Sequence, residues 1–316
     1  MLLLAATGAS AQITITDKAI TRKTGQLELD IHYPQTGRAE MDRIFSRVAQ
    51  EYAAEIEPNI EDPLNLAGDP AKGPNTGWMG YKIRRNDAQM FSVQISTGTY
   101  YAGRAHGMPN MVSFSFLMPE GAQVFLPELV DGQAGLNRVR ELVVAELTKQ
   151  LGPGDHWTRP RAHAGFLQDF AWLPDALELT YPPYSVAAYA AGTRIVRIPL
   201  SQLAGVVRPD PRAPAPSFSC TKARSPIEKT ICSDATPARQ DRQLAERYSL
   251  KLEFTDGRND RRSSESYRQA MQKRYEATVA SQRAWLLQRN KDCASGDKGC
   301  LVRAYEERQI ALYRGP

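Results

Sequence analysis

Apolar residues alternate with polar ones at Ile13 and Ile15 and again at Leu27, Leu29 and Ile31, the period of half-buried strands. Met41, Ile44, Phe45, Val48, Tyr52 and Ile56 recur at helical spacing instead, so an amphipathic helix is expected from Ala39 to Glu57. Trp78 to Arg85 and Met90 to Tyr101 read as two strands around a turn at Asn86-Asp87. Val112, Phe114 and Phe116 alternate once more, and Pro119-Glu120-Gly121 turns the chain into Gln123 to Phe125. A second helix is expected from Asn137 to Leu151, with Val139, Leu142, Val143 and Leu147 on one face, and late strands at Ala176 to Tyr181 and Arg194 to Ile198. Strands in hairpins with two isolated helices indicate an α+β domain, an antiparallel sheet with two helices, over residues 12–207.

The pattern then changes. RPDPRAPAPS, within residues 208–216 and its flank, is a Pro-rich linker, extended and fairly stiff. Residues 217–316 read as an all-α domain. Ser225-Pro226-Ile227-Glu228 has the capping-box pattern with Pro at the first helical position. Thr236-Pro237 repeats the cap-plus-Pro signal before a helix carrying Leu244, Tyr248 and Leu252. Tyr267, Met271, Tyr275, Val279, Gln282 and Trp285 mark a long third helix, and Leu301, Tyr305 and Leu312 a fourth.

Cysteine placement adds a compartment. All four cysteines, Cys220, Cys232, Cys293 and Cys300, fall in this last third, and an even count in a small helical segment reads as two disulfides. Local pairs, Cys220 with Cys232 and Cys293 with Cys300, need no long-range registration and are favoured; the alternative joins the first two cysteines to the last two. MLLLAATGASAQ has the apolar run and the Ala9-Ser10-Ala11 cleavage pattern of a signal-peptide remnant over residues 1–11. A periplasmic or secreted protein is the expectation. No stretch reaches the length of apolar residues that a membrane span needs.

Charge divides the chain further. Residues 12–210 hold 19 basic and 22 acidic residues, a balance of −3, whereas residues 211–316 hold 21 and 13, a balance of +8. Such asymmetry suggests that the halves meet different surfaces. Catalytic signatures are missing: there is no G-x-S-x-G, H-E-x-x-H, P-loop or G-x-G-x-x-G. His156 and His163 are separated by Pro160, so they do not share a helix face as metal ligands would. A non-enzymatic protein without cofactor or metal, and without a nucleic-acid partner, is expected.

The runs FSCTKARSPIEKTICSD, ARQDRQLAERY, SQRAWLLQRNKDC and CLVRAYEERQIALYR resemble the LprI-type lysozyme inhibitor family over nearly all of residues 217–316. The shared frame is Cys220, Cys232, Trp285, Arg289, Cys293, Cys300, Arg308 and Leu312. Trp285 is expected in the core, and Arg289 and Arg308 in salt bridges. In the first domain, YYAGRAHGMPNMVSFSFLMPEGAQVFLPELV and LELTYPPYSVAAYAAGTRIVRIPLSQL are similar to the extracytoplasmic domain of RsiV-type lysozyme-sensing anti-sigma factors, also found attached to PdaC-type peptidoglycan deacetylases. The membrane and sigma-binding parts of the first, and the catalytic part of the second, have no counterpart in this sequence, so only a binding role carries over. Together the resemblances imply a lysozyme inhibitor that occludes the active-site cleft, where two carboxylates flank the scissile bond. Tyr101, Arg104 and His106 in one glycine-flanked turn, and Pro183 and Tyr184 in the Pro182-to-Ser185 loop, are the expected contacts; the plainer roles are turn bonding for His106 and packing for the proline loop. Animal c-type lysozymes are strongly basic, so the −3 domain should dominate that contact. The alternative partner is peptidoglycan or another anionic envelope surface, met by the basic domain.

Overall fold

A computed structural model describes residues 12–56, 68–152, 167, 169–208, 215–255 and 265–314. The expected signal remnant, His156, His163 and most of the Pro-rich linker lie outside the described residues. Two compact units part between Val207 and Arg208.

The first unit carries a six-stranded sheet of β1 (Thr16–Lys23), β2 (Leu27–Gln35), β3 (Asn75–Asn86), β4 (Met90–Tyr100), β5 (Met108–Leu117) and β6 (Ala122–Val124), in sequence order. Every neighbouring pair is antiparallel except β2 and β3, which run parallel. A parallel pair needs a crossover rather than a hairpin, and helix α1 (Ala39–Ile56) lies in the connection. Hydrophobic alternation marks a strand's faces but carries nothing about its partner's direction. The helix buries Met41, Phe45, Ala49, Ala53 and Ile56, a stripe at helical spacing, against Leu29, Ile31, Met79, Phe91, Val93 and Phe116 of the sheet. Phe45 meets Phe116 edge to face at 5.6 Å and Phe114 at 6.1 Å.

The unit also contains a second, three-stranded antiparallel sheet of β7 (Phe170–Trp172), β8 (Ala176–Tyr181) and β9 (Arg194–Pro199). Between the sheets runs a polar seam. Ser92 and Ser115 hydroxyls bond each other at 2.9 Å, the Gln94 amide donates to Thr180 Oγ1 at 2.7 Å, and Arg84 pairs with the buried Glu178. Helix α2 (Leu126–Leu129) is a single turn, and α3 (Gly132–Leu151) starts before the expected Asn137. Its first turns carry glycines that read as loop. Gly135 is there for close approach, since a Cβ would stand 2.9 Å from that of Val130.

Four helices make the second unit: α4 (Pro226–Ser233), α5 (Ala235–Thr255), α6 (Glu265–Asp292) and α7 (Lys298–Arg314). The capping box at α4 forms as expected: Ser225 Oγ accepts from the Glu228 N–H at 3.2 Å and Glu228 accepts from the Ser225 N–H at 2.9 Å. The second cap sits elsewhere than expected. Helix α5 begins before Thr236, and Asp234 Oδ1 accepts the Thr236 N–H at 2.9 Å while the Asp234 carbonyl accepts from Ala238. Asp234 is thus the cap, and Pro237 sits within the first turn, where its missing N–H costs nothing. The two disulfides are Cys220–Cys232 and Cys293–Cys300, the local pairs. Ile227, Ile231, Leu244, Cys293, Leu301, Tyr305 and Leu312 form the core. No helix among the described residues is long and apolar enough to cross a membrane.

Candidate functional site

The turn expected to carry Tyr101, Arg104 and His106 is the connection from β4 to β5. It is fixed from below by the buried Asn75, whose Oδ1 accepts the Ala102 N–H at 3.0 Å, and by the Asp69 N–H donating to the Ala102 carbonyl at 2.8 Å. The Arg104 N–H closes back on the Tyr101 carbonyl at 3.0 Å, with Gly103 at a positive φ of 82° between them. This closure lifts His106 into solvent at the tip.

The proline loop joins β8 to β9. The Ser185 N–H donates to the Pro182 carbonyl at 3.1 Å, Pro183 follows Pro182, and Tyr184 has φ 68°. These are the features of a type II turn, with proline at the second position and a left-handed third residue. Glycine ordinarily fills that third position; a tyrosine there costs on the order of 1 kcal/mol. The Tyr184 N–H also donates to the Ala187 carbonyl at 3.0 Å, and Val186 and Ala187 are buried, so the loop is held at both ends. Tyr184 itself is half exposed.

The structure brings the two loops together. His106 stacks on Tyr189 with ring centroids 4.0 Å apart and planes 26° from parallel. Tyr184 flanks both, 6.4 Å from His106 and 5.6 Å from Tyr189, and its hydroxyl reaches His106 Nε2 at 3.5 Å. His106 Nδ1 lies 3.0 Å from the Gly107 carbonyl. An imidazole protonated at Nδ1 donates there and accepts from Tyr184 through Nε2. His106 therefore makes the expected turn bond and also joins an exposed aromatic cluster. Tyr189 was not singled out from sequence. Its place depends on the short 3-10 turn at Tyr189–Ala191, and no period in YSVAAYAAG announces it. Tyr101 is half-buried beneath the turn and its hydroxyl pKa is raised, first by burial and then by Glu55. Pro183 is half-buried and Arg104 exposed. The cluster thus presents rings, an imidazole and a hydroxyl in one place. Among the described residues no three His, Cys, Asp or Glu side chains group to hold a metal.

A second constellation occupies the helical unit. The Tyr305 hydroxyl donates to Asp241 Oδ1 at 2.7 Å and accepts from Arg289 Nη1 at 2.7 Å. Burial, then Asp241, pushes the Tyr305 hydroxyl pKa up, keeping it a donor. Asp241 Oδ2 accepts from the Ser217 N–H at 2.7 Å and hydroxyl at 2.6 Å, which ties the entry of the unit to α5. Trp285 meets Tyr305 edge-on at 5.4 Å, and the Arg289 guanidinium lies 5.3 Å from the Trp285 ring centre. Trp285 is half-buried against the core as expected. The expected salt bridges take another form. Arg289 reaches Asp241 only through the Tyr305 hydroxyl, and Arg308 donates to Gln282 at 2.8 Å and Ser281 at 2.9 Å. Neutral amides and hydroxyls satisfy a buried guanidinium without a second charge to desolvate. Gly296, at φ 76°, lets the disulfide-closed turn lie on α4, where its carbonyl accepts from Thr230 Oγ1 at 2.8 Å.

No curated protein matches the sequence. Among solved structures the chain is similar to a DUF3298 family protein from Pseudomonas aeruginosa PAO1, at 17% identity and a TM-score of 0.46, over 63% of this chain and 94% of that one. It is also similar to a DUF3298 family member from Bacteroides fragilis NCTC 9343, at 13% identity and a TM-score of 0.44, over 63% and 96%. Residues 127–201 match the family model described as "Protein of unknown function (DUF3298)", and residues 220–312 match the one described as "Lysozyme inhibitor LprI", so the chain is similar to the first family in its sheet unit and to the second in its helical unit.

Proposed function

We propose that the protein is a non-enzymatic, extracytoplasmic lysozyme-binding protein that inhibits lysozyme by occluding its cleft. The observation that carries this reading is the match of residues 220–312 to the lysozyme inhibitor family, nearly the whole helical unit. Two disulfides suit an oxidising compartment. The finer assignment of the contact rests on the aromatic cluster of the first unit. Tyr184 is held by a turn and a proline before any partner arrives, so little freedom is lost on binding. A half-exposed tyrosine whose hydroxyl lies beside an exposed imidazole can enter a sugar-binding cleft and bond a carboxylate there. The acidic balance of this half favours approach to a basic lysozyme.

The test is a lysozyme lysis assay with the purified full-length protein and its Tyr184→Ala variant. Dose-dependent inhibition is expected, weakened by the variant by roughly tenfold or more, as for a buried aromatic hot spot. No inhibition of any lysozyme class would remove the proposed function. Inhibition unchanged by Tyr184→Ala would move the contact to the helical unit.

A further inference from the structure

The face of the six-stranded sheet opposite α1 is part-covered by the polar seam, and part of it is open around Trp78. Strand register sets what lies there. Thr21 of β1 pairs with Asp30 of β2, Asp30 lies beside Trp78 of β3, and Trp78 pairs with Gly98 of β4. Paired residues share a face, so these four make one row across the sheet. The next row holds Lys23, Glu28 and Thr76. Their neighbours in sequence, Leu29 and Met79, point the other way into the α1 core. The two rows line a shallow basin.

Trp78 is 49% exposed although it stands in the middle of a sheet. The reason is Gly98. A Cβ on that residue would stand 2.2 Å from the Trp78 Nε1, so the glycine lets the indole lie down over the β4 backbone. One ring face is seated on protein and the exposed surface looks into the basin. Around it are hydroxyls on Thr21 and Thr76 and carboxylates on Glu28 and Asp30. Glu28 pairs with Lys23 at 2.8 Å, and Asp30 bonds His32 at 3.2 Å while its side chain stays 72% exposed. Lys23 is the cation in these rows, already paired with Glu28, which leaves Asp30 as the exposed carboxylate of the basin.

We infer that this basin binds an uncharged, extended pyranose chain. A flat seated indole offers an apolar platform to the C–H face of a sugar ring, and flanking carboxylates and hydroxyls accept and donate at the ring's edge. Two carboxylates against one lysine disfavour a polyanion. Two strand spacings from Thr21 to Trp78 span about 10 Å, room for about two rings of a sugar chain laid along the row. The aromatic cluster at His106 and Tyr184 takes no part, so this site is separate from the lysozyme reading.

The experiment titrates the full-length protein with tetra-N-acetylchitotetraose and, separately, cellotetraose, read by calorimetry and tryptophan emission. Saturable binding of at least one is expected; which of them binds identifies the ring substituents the site accepts. Trp78→Ala should weaken it roughly tenfold. Gly98→Ala, which keeps the indole but unseats it, should weaken it as well, and Asp30→Asn, a change at an exposed side chain, should weaken it several-fold without touching the fold. Circular dichroism checks each variant. Saturation by neither sugar, equal binding by Asp30→Asn and any folded Trp78 variant, or binding of heparin alone would overturn the site. Lysozyme inhibition should be the same in Trp78→Ala as in the parent, so either reading can fail while the other stands.

Discussion

In the first unit, Phe45, Phe91, Phe114 and Phe116 meet under one helix at ring separations of 5.6 to 6.4 Å. In the second, the buried core residues are aliphatic apart from Tyr305 and Cys293, and the other aromatics, Phe218, Tyr248 and Trp285, pack only part-buried around them. The sheet unit has no cysteine; the helical unit has all four. The core cluster of the helical unit is smaller than that of the sheet unit. Cross-links, caps and the Arg289–Tyr305–Asp241 chain of hydrogen bonds add to it. The difference shows how one chain can hold a packing-limited domain and a bond-limited one.

Reduction separates the two most sharply. Closing loops over sequence separations of 12 and 7 contributes about 5 kcal/mol together. Under dithiothreitol, hydrogen exchange should lose protection across α5 to α7 and keep it in β3 to β5. Equal loss in both units would break the contrast. The converse change is Phe45→Ala, expected to cost about 3–5 kcal/mol in the sheet unit and nothing in the helices, as read by denaturant melts with the same exchange map.

The polar seam gives a smaller, pH-dependent effect. Asp169 accepts the Ser113 N–H at 3.3 Å, and burial pushes its carboxyl up to about 7. In the unfolded chain it titrates near 3.9. Between those values the folded state holds a proton that the unfolded state has released, so stability falls as pH rises from about 4 to 7. The loss is on the order of 4 kcal/mol. His32, raised by its bond to Asp17, loses stabilisation in the same direction as pH rises through its folded pKa. Thermal melts of Asp169→Asn at pH 5 and pH 8 isolate the source: the variant should gain most at pH 8. A parallel slope in variant and parent would assign it elsewhere. Smallest is the cap. Asp234→Ala should cost the helical unit about 1 kcal/mol, and Thr236→Ala less than half of that; the reverse ranking would restore Thr236 as the cap.

The sequence exposed those parts of the fold whose cause is local. Phe45 and its neighbours recur with the helix, the Ser225 box is complete within four residues, and the disulfides link cysteines close along the chain. What lay hidden depends on distant residues. The parallel pairing of β2 with β3 is decided by where α1 returns the chain. Strand β7, Phe170–Trp172, is too short to show a period. Asp234 looks like the end of one helix and serves as the start of the next. At the candidate site, the two loops were readable as rigid turns, but His106 and Tyr184 are 78 residues apart, and Tyr189 completes the stack only through the tertiary fold. Trp78 reads as an ordinary strand residue until register sets Gly98 opposite it.

Strand β1, with the sequence TDKAITRK, is exposed at every residue but one, and its polar run hid it from the alternation. It is also an outer edge of the six-stranded sheet, while the other edge, β6, spans three residues. An unpaired edge is a template on which a second chain can add strands. Here Lys18, Arg22 and Lys23 crowd one margin with charge, and the opposite margin is too short to nucleate pairing. The two ends of the sheet thus act as buffers against fibrillar growth.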